Sequence, residues 1–189
     1  MGERPDSRAL GAYVEKRIRE SWPNICRALG GSPLPFPGRR SIYDAAVELD
    51  DTLFGIDVKS KDLDERRYAD GGICSVDNLL RFMVHRTAIL IVIEIGYRVE
   101  KGRVNVQYER AAPIHCLPSD IYRIENLGTG QVRLNYAVDD ARIEWNRTAF
   151  EFFRSFSELS MTHYKKVATV ATQRRGKIQR FVDSGFSAY

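Results

Sequence analysis

"SIYDAAVELDDTLFGIDVKSKD" spans Ser41 to Asp62, and its reading decides the fold. Apolar and polar residues alternate on both sides of Asp50-Asp51, the pattern of two half-buried strands joined by a tight turn. A turn centred on that pair sets Leu49 against Thr52, Val47 against Phe54 and Ala45 against Ile56. Strand side chains alternate between faces, and directly paired residues share one. One face then collects Ala45, Val47, Leu49, Phe54, Ile56 and Val58, all apolar, and is the expected core face. The other carries Asp44, Ala46, Glu48, Leu53, Gly55, Asp57, Lys59 and Lys61, with Asp44 opposite Asp57.

Two carboxylates facing each other across a sheet repel. A divalent cation between them removes the repulsion, and magnesium favours one or two carboxylates completed by waters and phosphate oxygens. Lys59 points to the same side. Ala46 and Gly55 are small and are expected to leave room for a substrate backbone. The plain alternative is a half-exposed hairpin with polar residues outside. The triplet Asp57-Val58-Lys59 does not decide between them. With 25 acids and 7 lysines in 189 residues, chance supplies roughly one acid-x-lysine match. The register carries the argument, because a one-residue slip would spoil the apolar face.

The rest of the chain is consistent with one globular domain, residues 1–189. It is 43% hydrophobic and 29% charged. The longest apolar run, Ala88 to Ile93, is too short for a membrane span, so no membrane partner is expected. Met1 to Arg8 is polar and lacks the apolar core of a signal peptide. Cys26, Cys74 and Cys116 are scattered and odd in number, which suggests a reducing cytoplasm without a disulfide framework. No zinc-ligand spacing occurs.

Charge is uneven. Residues 146–189 carry eight Lys/Arg against three Asp/Glu, leaving the remainder near −1 within a total of +4. A basic tail on a near-neutral body suggests a polyanionic partner. The cations are 22 Arg to 7 Lys, and arginine suits bidentate contacts to phosphate and guanine.

Helical spacing predicts a helix over Ser7–Trp22 that ends at Pro23. Gly30–Pro37 reads as a loop, and Lys61–Gly72 as irregular. Ser75 is placed to cap a helix running to about His85. Thr87–Val99 is apolar on both faces, as an internal strand should be. Val104–Tyr108, Ile121–Ile124 and Gln131–Val138 read as further strands. Thr148-x-x-Glu151 is a capping box opening a long helical region that Gly176 could interrupt. The order of elements implies an α/β fold with a mixed central sheet flanked by helices.

Tyr43-Asp44 followed by Gly55-Ile56-Asp57-Val58-Lys59 resembles the PD-(D/E)xK nuclease core, with Tyr43 where that pattern often has proline. The order of elements is similar to type II restriction endonucleases of the EcoRV kind. There too a hairpin ending in Asp-x-Lys-Thr/Ser, here "DVKS", precedes a polar stretch, a Gly-Gly pair and a helix. An apolar strand running into Gly-Tyr, here "ILIVIEIGYRV", also recurs. The resemblance implies a restriction-endonuclease-like core in which Asp44 and Asp57 ligate Mg2+ with the Val58 carbonyl. Lys59 would hold the attacking water or stabilise the charge that develops on phosphorus. Some members place a helix carboxylate near the metals, which makes Glu15 a candidate ligand.

The implied activity is magnesium-dependent hydrolysis of double-stranded DNA at a specific sequence. Alternatives are a structure-specific repair or recombination nuclease and a non-catalytic DNA-binding module. Base readout is expected from "NLGTGQVRLN", where Thr129, Gln131, Arg133 and Asn135 surround two glycines. Ser60 and Lys61 are expected to touch phosphate beside the site. Lys165, Lys166, Arg174, Arg175 and Lys177 are expected to contact the backbone. An enzyme that cuts a palindrome usually works as a symmetric pair, so a homodimer is expected. Glu94, a charge inside an apolar strand, has no role in this scheme.

Overall fold

A computed structural model of the chain describes residues 7–36, 41–64, 71–84, 87–125, 130–134 and 142–185. The chain forms two compact units, Met1–Phe153 and Arg154–Tyr189.

The first unit begins with helix α1, Ser7–Ala28. The helix does not stop at Pro23, as the sequence suggested, but runs through it. Proline removes one intrahelical hydrogen bond and disfavours a helix interior. Tertiary anchors on either side outweigh that cost. Trp22 and Cys26 are buried with Ala45, Val47 and Ile56, and the Trp22 indole N–H donates to the Ala46 carbonyl at 2.9 Å. The true end is a glycine cap. Gly30 adopts φ +73°, its N–H bonds the Arg27 carbonyl, and the Gly31 N–H bonds the Cys26 carbonyl.

Strands β1 (Ser32–Pro33), β2 (Ala45–Leu49), β3 (Thr52–Asp62), β5 (Ala88–Glu100) and β6 (Arg103–Pro113) form one sheet in the order β1-β2-β3-β5-β6. The sheet is mixed: β3 and β5 run parallel, and the other neighbours are antiparallel. Parallel neighbours need a crossover. Here it contains β4 (Gly71–Ser75) and helix α2 (Val76–Val84), whose Ser75 hydroxyl accepts the Asn78 N–H as the cap expected. The Gly-Gly pair therefore opens a strand. β4 pairs with β8 (Gln131–Leu134), and β8 with β7 (Tyr122–Glu125), giving a second, antiparallel sheet.

The register of β2 and β3 is the one read from the sequence: Ala45↔Ile56, Val47↔Phe54 and Leu49↔Thr52. Asp50 and Asp51 both take positive φ, 45° and 62°, as a two-residue turn matching strand twist requires. The apolar face packs on α1, where Leu49, Phe54, Val58, Ile91 and Ile93 border the buried cluster. α2 covers the opposite face: a Cβ on Gly55 would lie 3.3 Å from Phe82 Cζ and 3.0 Å from Tyr43 Cδ1. The space expected above Ala46 and Gly55 is thus filled by Tyr43 and α2.

β5 is internal, and its pairs with β6 slip between Gly96 and Tyr97. Gly96 faces Tyr108 while Tyr97 faces Val106, so Gln107 is an extra residue, a bulge. The Tyr108 ring lies over Gly96, where any side chain would collide with it.

Thr148 and Glu151 complete the capping box of α3, Ala149–Gly185. The Thr148 N–H donates to the Glu151 carboxylate at 2.8 Å, and the Glu151 N–H to the Thr148 hydroxyl at 3.2 Å. α3 is continuous through Gly176, and the second unit is its length from Arg154 onward.

Candidate active site

Asp57 and Lys59 project from β3 on the face opposite α1, because Ile56 and Val58, which alternate with them, are committed to the α1 cluster. Asp57 is only 3% exposed. Its Oδ1 accepts a charge-assisted bond from Lys59 Nζ at 2.7 Å, while its Oδ2 is buried without a hydrogen-bond partner. Burial pushes this carboxyl up to about 7. Lys59 pulls it down by charge and hydrogen bond, and the neighbouring Asp44 charge pushes it up.

Asp44 sits one residue before β2 begins. Its N–H bonds the Ile56 carbonyl at 2.7 Å, so the chain leaves the ladder there and does not pair Asp44 with Asp57 directly. Its side chain turns into the β2–β3 edge instead, and Oδ2 accepts the Val58 N–H at 2.8 Å. A strand residue's N–H and C=O leave on the same edge. The Val58 carbonyl therefore opens on the Asp44 side, with the Asp57 side chain one residue away. The two acids are linked through Val58 by this bond and not through a cross-strand pair.

These donors fit a small hard cation. Two carboxylates and one peptide carbonyl are oxygen ligands, and the unpartnered Asp57 Oδ2 lacks the partner that a buried carboxylate oxygen needs. Among the described residues no group of three or more His, Cys, Asp or Glu side chains gathers. Cys74, on β4 beside this pair, offers a soft sulfur that an oxygen-seeking cation does not favour. Burial and the Asp57 charge push its thiol up to about 12, against the opposing pull of Lys59.

The remaining candidates are placed unevenly. Lys61 shares the Asp57 face but is 8% exposed, with Gly96 as its β5 neighbour. Ser60 falls on the α1 face by strand alternation, across the sheet from Lys59, which corrects its expected place beside the site. Gln131 and Arg133 lie on β8. Arg133 Nε is 2.8 Å from a Glu125 oxygen, and Glu125 also holds Arg123 at 2.8 Å. Arg123 directly faces Arg133, a pairing that no sequence signal indicated. Thr129 and Asn135 lie outside the described residues, as does the Glu15 side chain, though its backbone belongs to α1. Lys165, Lys166, Arg174, Arg175 and Lys177 are exposed on the second unit's helix.

Glu94 acquires surroundings that the sequence left blank. It is 8% exposed, stands level with Lys59 on the adjacent strand, and accepts the Tyr108 hydroxyl at 2.8 Å. Arg110 is 3.7 Å away. The ladder between β3 and β5 joins segments far apart in sequence, so local pattern could not reveal it.

No protein-family model matches the chain, and no curated protein matches it. No described helix is long and apolar enough to cross a membrane.

Proposed function

We propose that the chain is a magnesium-dependent endonuclease that hydrolyses double-stranded DNA, of the type II restriction kind. The observation that carries this reading is Asp57: a buried carboxylate with one oxygen on Lys59 and the other unpartnered, beside Asp44. Strained and unpaired titratable groups concentrate at functional sites. The resemblance of Asp44, Asp57 and Lys59 to the PD-(D/E)xK set supports the same reading, as do the parallel β3–β5 pair and the preceding hairpin.

Asp44, Asp57 and the Val58 carbonyl would hold magnesium, which supplies Lewis-acid activation for phosphodiester hydrolysis. Lys59 offers three N–H donors to a water or to a phosphate oxygen that gains charge. Its stem leaves β3 two residues after Asp57, so the ammonium stays at the site when it releases the carboxylate. The exposed basic residues of the second unit, from Lys165 to Lys177, would contact DNA phosphates, and Gln131 and Arg133 would read bases. A homodimer acting in the cytoplasm completes the proposal.

Plasmid digestion with and without magnesium tests it. Discrete fragments appear with the metal, and Lys59→Ala lowers the rate about 100-fold or more. Cleavage by Lys59→Ala at the wild-type rate sinks the mechanism. Binding without any cleavage leaves only the non-catalytic DNA module.

A further inference from the structure

Lys59 and Asp57 form an ion pair at 2.7 Å with side chains only 18% and 4% exposed. A cation on the unpartnered Asp57 Oδ2 brings a second positive charge beside the Lys59 ammonium on Oδ1, and their repulsion favours moving the lysine off that carboxylate. The lysine then needs another anion, because an uncompensated charge in a largely buried position is costly. The acid at its own level in the sheet is Glu94. The parallel register places Asp57 beside Val92, Lys59 beside Glu94 and Lys61 beside Gly96. Parallel neighbours point to the same face about 4.8 Å apart. Glu94 thus shares a face with Lys59 as its direct lateral neighbour.

Its own environment keeps it in place. The Tyr108 hydroxyl donates to Oε1 at 2.8 Å, and Arg110 lies 3.7 Å from Oε2, within ion-pair range but beyond a hydrogen bond. The Arg110 guanidinium is in turn held 5.5 Å from the centre of the Tyr108 ring. Such a carboxylate is fixed in direction, and each of its oxygens can accept more than one donor.

We propose that Glu94 is a positioning residue that receives the Lys59 ammonium when a divalent cation takes Asp57. The inference rests on reading Asp44 and Asp57 as the cation site. In the free chain Lys59 occupies Asp57; with the cation bound, Lys59 bridges to Glu94 and stays aligned over the face. Glu94 acts through the lysine and does not ligate the cation.

The test is a titration of the full chain with MnCl2, read by the electron paramagnetic resonance of free Mn2+. Manganese shares magnesium's preference for oxygen ligands. Five proteins are compared: wild type, Asp57→Asn, Glu94→Gln, Lys59→Met, and the Glu94→Gln/Lys59→Met double variant. Wild type binds, and Asp57→Asn abolishes binding. Glu94→Gln weakens binding about fivefold to tenfold, because the displaced lysine has nowhere to go. Lys59→Met tightens it. In the Lys59→Met background Glu94→Gln changes affinity less than about twofold. An equal loss in both backgrounds makes Glu94 a ligand and overturns the proposal, as does no loss in either. If wild type binds no manganese at Asp57, the cation site itself fails. A crystal of the wild-type chain with Ca2+ asks the same question without a substitution. Lys59 Nζ on Glu94 supports the transfer; Nζ still on Asp57, or directed to solvent, refutes it.

Discussion

Replacing Asp57 with asparagine should make the protein more stable in neutral and alkaline solution and leave it no more stable in acid. The Asp57 carboxyl is held near 7 by burial, against Lys59 and with help from Asp44, where an ordinary value is 3.8. A gap of about three pH units is worth about 4 kcal/mol, at 1.36 kcal/mol for each. The folded chain binds this proton more tightly than the unfolded chain. Its stabilising contribution is therefore complete below about pH 4 and is lost as pH rises through about 7. Asparagine keeps the shape and stays neutral throughout. The stability difference between variant and wild type should swing by about 4 kcal/mol from pH 4 to pH 8, roughly a 10 °C change in relative Tm. Calorimetry on both proteins in EDTA across that range measures it, and the subtraction cancels other titrating groups. Added Mg2+ should then stabilise wild type at pH 8 and not the variant. A difference that stays flat with pH would refute the reasoning, for then Asp57 is not a buried, strained carboxyl.

Three further substitutions probe the scaffold. Trp22→Phe removes the indole N–H bonded to the buried Ala46 carbonyl and should cost about 1–3 kcal/mol in urea unfolding. Gly55→Ala pushes a methyl against Tyr43 and Phe82 and should cost about 1–3 kcal/mol, visible as a lowered Tm. Thr148→Ala breaks the capping box and should cost about 1 kcal/mol, read by thermal circular dichroism.

The hairpin was legible because two local rules coincide in it. A two-residue turn leaves only one register, and the six apolar residues test that register independently. The approach of Asp44 to Asp57 was legible in outline only. Counting placed them opposite each other, but Asp44 leaves the ladder to accept the Val58 N–H, a side-chain choice that alternation does not encode. Pro23 misled for the reverse reason: its local penalty is real, and contacts from Trp22 and Cys26 to distant strands override it. Glu94 could be noticed but not placed. Its neighbour Lys59 lies across a parallel ladder, whose alignment is set by a crossover and not by a turn. The second sheet was hidden in the same way, since β4 joins β8 over a long interval of chain.

The extra residue at Gln107 has a consequence for how this site could change. Counted without a break from the Lys101-Gly102 turn, β6 would bring Glu109 level with Glu94, acid against acid. With the bulge, Arg110 stands there instead. Inserting one residue between Gln107 and Glu109, with the bulge kept, would set Glu109 in place of Arg110 beside Glu94 without altering either codon. A single-residue length change in an exposed strand thus acts as a reversal of charge in the buried neighbourhood of Lys59.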